Sequence, residues 1–273
     1  MYRRISKQIG KEADKLPNTT SGALRKMYLK RLQKQINTEL TSLGKNLEST
    51  ILQNMEAVAN AMVNDNIAFH QAINLSIQGM FSHVPGDVVK AVSTGQVYDG
   101  RWSLSRSIWE NTAKTKKDIN KIIAEGIAQN KSAYDIAKDL EKYVNPDARK
   151  DWAWSKVYPG TAKVVDYNAQ RLARTMVSHA YQQSFIRTTK PNPFVTKYKW
   201  ESSNSGRICK LCASRDGVLF EKDELPMDHP NGMCTFTAVM DLPMTDIADR
   251  VADWALGGSD PELDAYAEYL KNS

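Results

Sequence analysis

The chain has 273 residues, of which 41% are hydrophobic and 25% charged, a composition typical of a globular protein with a hydrophobic core. No stretch approaches about 18 consecutive apolar residues, and no apolar segment follows the basic N-terminus, so we expect neither a membrane span nor a signal peptide. The three cysteines, an odd number, disfavour a disulfide framework and indicate metal binding or free thiols in a reducing compartment.

Charge is distributed unevenly along the chain. Residues 1–34 contain ten Lys or Arg against two acidic residues, whereas residues 241–273 contain eight acidic residues against two basic ones. A basic segment can bind DNA phosphates, dock on an acidic protein surface, or form a solvated helix face, and all three alternatives stay open. The candidate nucleic-acid or partner-binding residues are Arg3, Arg4, Lys7, Lys11, Arg25, Lys26, Lys30, Arg31 and Lys34.

The N-terminal part of the chain has the periodicity of a long helix. Apolar residues recur at steps of three or four from Leu32 to Met62, and no proline interrupts residues 18–84. This pattern predicts one long helix, or two helices broken near Gly44, that form a helical hairpin, a coiled-coil contact or an extended arm. One proline and three glycines then predict a loop from about His83 to Trp102.

Two consecutive helices are predicted in the next part of the chain. Helical periodicity covers residues 104–129, and Asn130 is suited to ending that helix. Ser132 is an N-cap candidate with Asp135 three residues later, and the second helix is expected to stop before Asn145 and the proline that follows it.

A connection is predicted over residues 145–160, followed by a further helix over residues 161–189. The connection contains three aromatic residues, which either pack against a neighbouring element or stack on nucleobases; they are Trp152, Trp154 and Tyr158. His179 is the only histidine of the helix, and we interpret it as a hydrogen-bonded structural residue.

The C-terminal part has the pattern of short strands followed by short acidic helices. The strands are expected at residues 194–200, 218–220 after an Asp216-Gly217 turn, and 234–239, and the helices are expected to begin near Pro243 and Pro261. The fold class is therefore α+β, predominantly α-helical, with a small C-terminal mixed domain. We predict four segments: a basic, long-helical arm (1–100), a helical domain (101–190), a small β-rich subdomain (191–242) and acidic helices (243–273).

All three cysteines lie in one short window together with a histidine. Cys209, Cys212, His229 and Cys234 follow the spacing C-x2-C-x16-H-x4-C within the β-rich segment. Because Zn²⁺ prefers four Cys or His ligands in tetrahedral geometry, this spacing predicts a structural zinc site with no open position for a catalytic water. Reduced thiols beside a surface histidine are the alternative.

The same region resembles the phage Mu F-like head morphogenesis family of minor capsid proteins. The resemblance rests on the order of RLARTMVSHAYQQSF, VTKYKWESSNSGRICKLCASRDGVLF and HPNGMCTFTAV between residues 171 and 239, and it extends more loosely to about residue 105. Two positions depart from the family pattern: Met176 replaces a frequent acidic residue, and Gly232 replaces a frequent additional cysteine. The second departure leaves Cys234 as the only downstream thiol.

This resemblance implies a phage or prophage virion component, made in the bacterial cytoplasm and located at the portal vertex of the capsid. Its implied partners are the portal protein and the major capsid or scaffolding protein, with a non-specific contact to DNA as a further alternative. The implied role is head assembly and DNA packaging or delivery, without enzymatic activity.

Two enzymatic alternatives compete with this interpretation. A metal-dependent nuclease of the His-Asn-His type would use His229 to activate water, but it also requires a second metal-ligating residue downstream, where only Asn231 and Asn272 are available. A cysteine hydrolase using Cys234 and His229 lacks a recognisable orienting partner or oxyanion hole.

Overall fold

The fold is described from a computed structural model, for residues 2–15, 22–73, 75, 79–145, 165–203, 208–230 and 232–272. The helices in these ranges are α1 (Tyr2–Ala13), α2 (Gly22–Ala72), α3 (Val84–Thr94), α4 (Leu104–Ala128), α5 (Ala133–Val144), α6 (Val165–Thr189), α7 (Lys210–Arg215), α8 (Met244–Ala255) and α9 (Pro261–Asn272). The strands are β1 (Val195–Glu201), β2 (Leu219–Glu221) and β3 (Thr235–Met240). This largely helical chain with one small C-terminal sheet confirms the predicted fold class. None of the described helices is long and apolar enough to cross a lipid bilayer.

The chain forms two compact units that are each assembled from two stretches of sequence. Unit 1 consists of Met1–Thr50 and Leu104–Leu172, and unit 2 consists of Ile51–Ser103 and Ala173–Ser273. These units do not follow the four consecutive segments predicted from the sequence, because α2 and α6 each contribute residues to both. The aromatic residues of the predicted connection, Trp152, Trp154 and Tyr158, lie outside the described residues, as does the predicted helix start at 161–164.

Unit 1 is a helical unit in which α4 runs antiparallel to the first half of α2. Arg25 near the start of α2 donates to Asn130 (3.3 Å) beyond the end of α4, whereas Thr41 accepts a hydrogen bond from Lys116 (3.2 Å). The buried apolar side chains form one core: Ile5, Ile9, Ala13, Leu29, Leu32, Ile36, Leu40, Leu43, Ile119, Ile122, Ile123, Ala133, Ile136, Ala137, Leu140, Tyr143 and Val144. Apolar burial therefore stabilises this unit.

α2 is a single helix of 51 residues, so the alternative of a break near Gly44 is wrong. A glycine within a helix costs roughly 1 kcal/mol relative to alanine, which the packing on both sides of Gly44 outweighs. Buried residues on the stripe, such as Ile36 and Leu43 before Gly44 and Ile51 after it, keep the helical phase.

The junction between α4 and α5 confirms the predicted capping. Asn130 has a left-handed backbone (φ 56°), which ends α4. The Ser132 hydroxyl accepts a hydrogen bond from the Asp135 N–H (3.1 Å) and donates one to the Asp135 carboxylate (2.7 Å). α5 ends at Val144, as expected from the proline at position 146.

The predicted loop from His83 to Trp102 is wrong for its first half, because α3 occupies Val84–Thr94. Pro85 lies in the first turn of this helix, where a missing N–H group breaks no helical hydrogen bond. The second half is a turn region, as predicted. Gly95 adopts φ 86° there, and a Cβ atom at this position would lie 1.7 Å from the Trp102 carbonyl oxygen.

Unit 2 contains a three-stranded antiparallel sheet of order β2-β1-β3, and all three predicted strands are confirmed to within one residue. Tyr198 and Trp200 of β1 are fully buried and lie opposite Ala238 and Phe236 of β3. Phe185 of α6 packs against this buried face. The two C-terminal acidic helices begin where the prolines predict them, at Met244 and Pro261.

Candidate metal centre

The upstream half of the cysteine cluster is built on the first turn of α7. Cys209 is the N-cap residue of this helix, and its sulfur accepts a hydrogen bond from the backbone N–H of Cys212 (3.3 Å). The two-residue spacer thus places both thiols at the same helix end, with Cys209 exposed and Cys212 buried. This hydrogen bond is the main cause that lowers the pKa of Cys209 to about 7, which favours the thiolate form that binds metals.

His229 completes a group of three donor atoms. Its Nε2 atom lies 3.1 Å from the Cys209 sulfur and 3.2 Å from the Cys212 sulfur. Its Nδ1 atom lies 3.1 Å from the carbonyl oxygen of Pro230, which can only accept a hydrogen bond. Nδ1 therefore carries the proton, and in the neutral ring the lone pair of Nε2 points to the two thiols. Main-chain fixation of one ring nitrogen is the usual arrangement of a histidine that binds metal through the other.

Cys234 joins the cluster through Cys212. Three atoms, the sulfurs of Cys212 and Cys234 and a carboxylate oxygen of Asp228, lie within 4.8 Å of one another, as do the donor atoms of Cys209, Cys212 and His229. Cys212 thus belongs to both groups. The four predicted ligands therefore fall into two groups of donor atoms that share Cys212, and the second group contains Asp228, which the cysteine spacing does not indicate.

The donor set fits a zinc ion. Zinc bonds of about 2.0 to 2.3 Å in tetrahedral geometry place neighbouring nitrogen and sulfur ligands roughly 3.5 Å apart. The distances from the His229 Nε2 atom to the sulfurs of Cys209 (3.1 Å) and Cys212 (3.2 Å) are within a few tenths of an ångström of that value. Cys234 would supply the fourth ligand, since it already lies beside Cys212.

The segment from Asp228 to Cys234 is held by hydrogen bonds to α6. His179 contacts the Asp228 carbonyl oxygen through Nε2 (3.1 Å), and Gln182 donates to the Cys234 carbonyl oxygen (2.9 Å). The other ring nitrogen of His179 is hydrogen-bonded to the Tyr98 hydroxyl, and burial lowers the pKa of His179. These bonds confirm the interpretation of His179 as a structural residue.

The predicted basic residues lie in unit 1, whereas the cysteine cluster lies in unit 2. All of them except Arg25 are exposed. Half-buried Arg25 donates to the Asn130 side chain and to the Lys131 carbonyl oxygen (3.0 Å), so it fastens α2 to the α4–α5 junction. The exposed residues on α1 are Arg3, Arg4, Lys7 and Lys11, and those on α2 are Lys26, Lys30, Arg31 and Lys34.

Comparison with known families assigns the central part of the chain. Residues 117–237 match the model of the family described as Phage Mu protein F like protein. The chain has a Mu F-like region. This match confirms the resemblance predicted from the sequence, and the Mu F-like region reaches from within α4 to within β3. It includes the whole cysteine and histidine cluster. No curated protein and no solved structure matches the chain.

This match is the observation that relates the chain to the phage head morphogenesis family. The Mu F-like region covers 121 of the 273 residues, so α1, α2, α3, α8 and α9 lie outside it.

Proposed function

We propose that the protein is a non-enzymatic minor capsid protein that acts at the portal vertex during head assembly and DNA packaging or delivery. The observation that carries the proposal is the Mu F-like match over residues 117–237. Direct partners in this proposal are the portal protein and, around it, the major capsid or scaffolding protein. Assembly takes place in the cytoplasm of the host bacterium.

The cysteine cluster has a structural role in this proposal. Cys209, Cys212, His229 and Cys234 hold one zinc ion as a closed site, which links α7 to the segment before β3. A zinc ion with four protein ligands has no position for a reacting water, so the ion contributes folding free energy rather than chemistry.

The nuclease and hydrolase alternatives have less support from the geometry. Nε2 of His229 lies within 3.2 Å of two thiols, which suits a metal ligand better than a base that activates water. The Cys234 sulfur is grouped with Cys212 and Asp228, and the His229 ring nitrogen is directed at the other two cysteines. A nucleophile needs its base within hydrogen-bond reach, and Cys234 instead has a second thiol and a carboxylate as neighbours.

The exposed basic residues of α1 and α2 provide a surface for DNA in this proposal. Unit 1 contains 24 Lys or Arg against 13 Asp or Glu, so it attracts the phosphate backbone of DNA without reading its sequence.

The assembly proposal is tested by co-expressing the full chain with the portal protein encoded in the same phage or prophage genome. We expect the two proteins to co-purify, and we expect mass spectrometry to find the chain in purified virions. The matched control is the portal protein of an unrelated phage. Failure to co-purify, together with absence from virions, would contradict the proposal.

The enzymatic alternative has its own test. We expect the full chain to leave plasmid DNA intact with Mg²⁺, Mn²⁺ or Zn²⁺ present. Cleavage that depends on one of these ions and is lost in the His229→Ala variant would replace the structural assignment with a nuclease.

A further inference from the structure

The carboxylate of Asp228 is placed between the two downstream members of the cysteine cluster. Its Oδ1 atom accepts the backbone N–H of His229 (2.8 Å), and its Oδ2 atom accepts the backbone N–H of Cys234 (3.0 Å). Asp228 is 4% exposed, and a buried carboxylate requires such partners. Each oxygen thus orients the main chain of one predicted ligand.

Gly232 lies tightly against this carboxylate. A Cβ atom built on Gly232 would lie 2.0 Å from Oδ2 of Asp228, far inside van der Waals contact. Only a residue without a side chain can pass here while the carboxylate stays in place. Gly232 and Asp228 therefore depend on each other.

The main chain at both ends of this segment is tied to α6. His179 donates from Nε2 to the Asp228 carbonyl oxygen, which can only accept, and Gln182 donates to the Cys234 carbonyl oxygen. A rigid helix consequently fixes where the segment begins and ends. The Asp228 side chain then determines how His229 and Cys234 are oriented between these two points.

We propose that Asp228 is a positioning residue that sets the metal affinity of the cluster by orienting His229 and Cys234, without binding the metal itself. This inference rests on the proposed zinc site. Both oxygens of Asp228 already accept main-chain N–H groups, and its 3.7 Å contact with the Cys212 sulfur is that of a thiol donating to a carboxylate. Hydrogen-bond partners that orient ligands typically account for about 10- to 100-fold in metal affinity.

The test compares the full-length wild type with Asp228→Asn and with the control Asp216→Asn. Asparagine keeps the shape of the side chain but replaces one acceptor oxygen by an NH₂ group, which cannot accept an N–H. Asp216 also accepts a backbone N–H, from Ser202 (2.8 Å), and it lies outside the cluster. Zinc affinity is measured by competition with a chromophoric chelator, and ligand geometry is measured from the absorption spectrum of the Co²⁺-loaded protein.

We expect Asp228→Asn to weaken zinc binding by about 10- to 100-fold and Asp216→Asn to leave it close to the wild-type value. At saturating Co²⁺, the Asp228→Asn spectrum should keep the wild-type band positions, because the ligands are unchanged. Wild-type affinity in Asp228→Asn, or an equal loss in both variants, overturns the inference. A shifted Co²⁺ spectrum makes Asp228 a ligand and overturns it as well.

A double-mutant cycle checks the dependence between Asp228 and Gly232 independently. Gly232→Ala should weaken zinc binding by displacing the carboxylate, whereas in an Asp228→Ala background the same change should add little. Losses that simply add would overturn the inference. If the wild type itself binds no zinc, the proposed metal site fails, and this outcome is distinct from a zinc-binding wild type with an unaffected Asp228→Asn variant.

Discussion

The two units of the molecule differ in charge and in how they are stabilised. Unit 1 has 24 Lys or Arg against 13 Asp or Glu, whereas unit 2 has 13 against 18. Unit 1 contains no cysteine and buries a continuous apolar core between its helices. Unit 2 contains all three cysteines, and the small core beside them consists of Trp200, Cys212, Cys234 and Phe236. Apolar packing between long helices stabilises unit 1, whereas in unit 2 the proposed zinc site would add a cross-link to a segment rich in turns.

Removing a predicted metal ligand should produce the largest difference in stability between the two units. We expect Cys234→Ser to lose bound zinc and to destabilise unit 2 by several kcal/mol, on the order of 3 or more, because zinc binding contributes directly to folding. Hydrogen exchange should accelerate in residues 208–240 and stay slow in the core of α4 and α5. Ser214→Ala, at an exposed position on α7, is the control. Zinc-free wild-type protein, purified without chelators, would remove the basis of this prediction.

Truncating a buried side chain of unit 1 should destabilise unit 1 and leave the cysteine cluster of unit 2 intact. Leu40 is 1% exposed in the unit 1 core, and Leu40→Ala is expected to cost about 2 to 5 kcal/mol through lost burial and a cavity. Zinc content should stay unchanged. Ile247→Ala, at a fully buried position of unit 2, is the matched control and should accelerate hydrogen exchange in α8. Equal protection losses in both units for both variants would mean that the units unfold together.

The charge difference predicts where DNA binds. Replacing Lys26, Lys30 and Lys34 by Gln should lower the affinity for non-specific duplex DNA by roughly tenfold and reduce the salt dependence by about 2 to 3 in slope. The control removes three lysines from unit 2, namely Lys190, Lys197 and Lys199, which are paired with Asp223, Glu221 and Glu201. Equal losses in both triple variants would show that net charge alone matters. Unchanged binding in the α2 variant would favour an acidic protein surface as the partner.

The smallest expected effect concerns the acidic C-terminus. Arg250 pairs with Asp260 (2.6 Å), and this hydrogen bond is the main cause that lowers the pKa of Asp260 below its ordinary value. A depressed pKa stabilises the folded state above the unfolded-state pKa, and this contribution is lost as pH falls through the folded-state pKa. Asp260→Asn should cost up to about 1 kcal/mol at pH 7 because the pair is partly solvated. In acid denaturation the variant and the wild type should converge at low pH.

Much of this architecture could be predicted from local sequence. The helical period predicted the long helices, Ser132 predicted the start of α5, and alternation predicted β1. Each of these patterns depends only on residues that are close in sequence. The prediction of a loop at His83 was wrong because proline is favoured in the first turn of a helix, where Pro85 lies, but breaks a helix in its interior. The grouping of α1, α4 and α5 with the first half of α2 depends on long-range packing that periodicity does not specify.

The sequence predicted the donor residues of the candidate site but not the residue that orients them. The spacing of three cysteines and His229 identifies donor atoms, because metal ligation depends on residue type. The role of Asp228 depends on main-chain N–H groups brought together by folding, so no spacing rule specifies it. Its position directly before His229 was the one available signal. Gln182, three residues after His179 on the same helix face, could likewise have indicated a pair of hydrogen-bonding residues.

The confinement of all three thiols to one segment also concentrates the chemical vulnerability of the protein. Cys209 is exposed, whereas Cys212 and Cys234 are buried, so an oxidant reaches Cys209 first. Its sulfenic acid would condense with the neighbouring thiol of Cys212, and the resulting disulfide would remove two donors at once. Thiol oxidation would then be confined to unit 2, because unit 1 contains no cysteine.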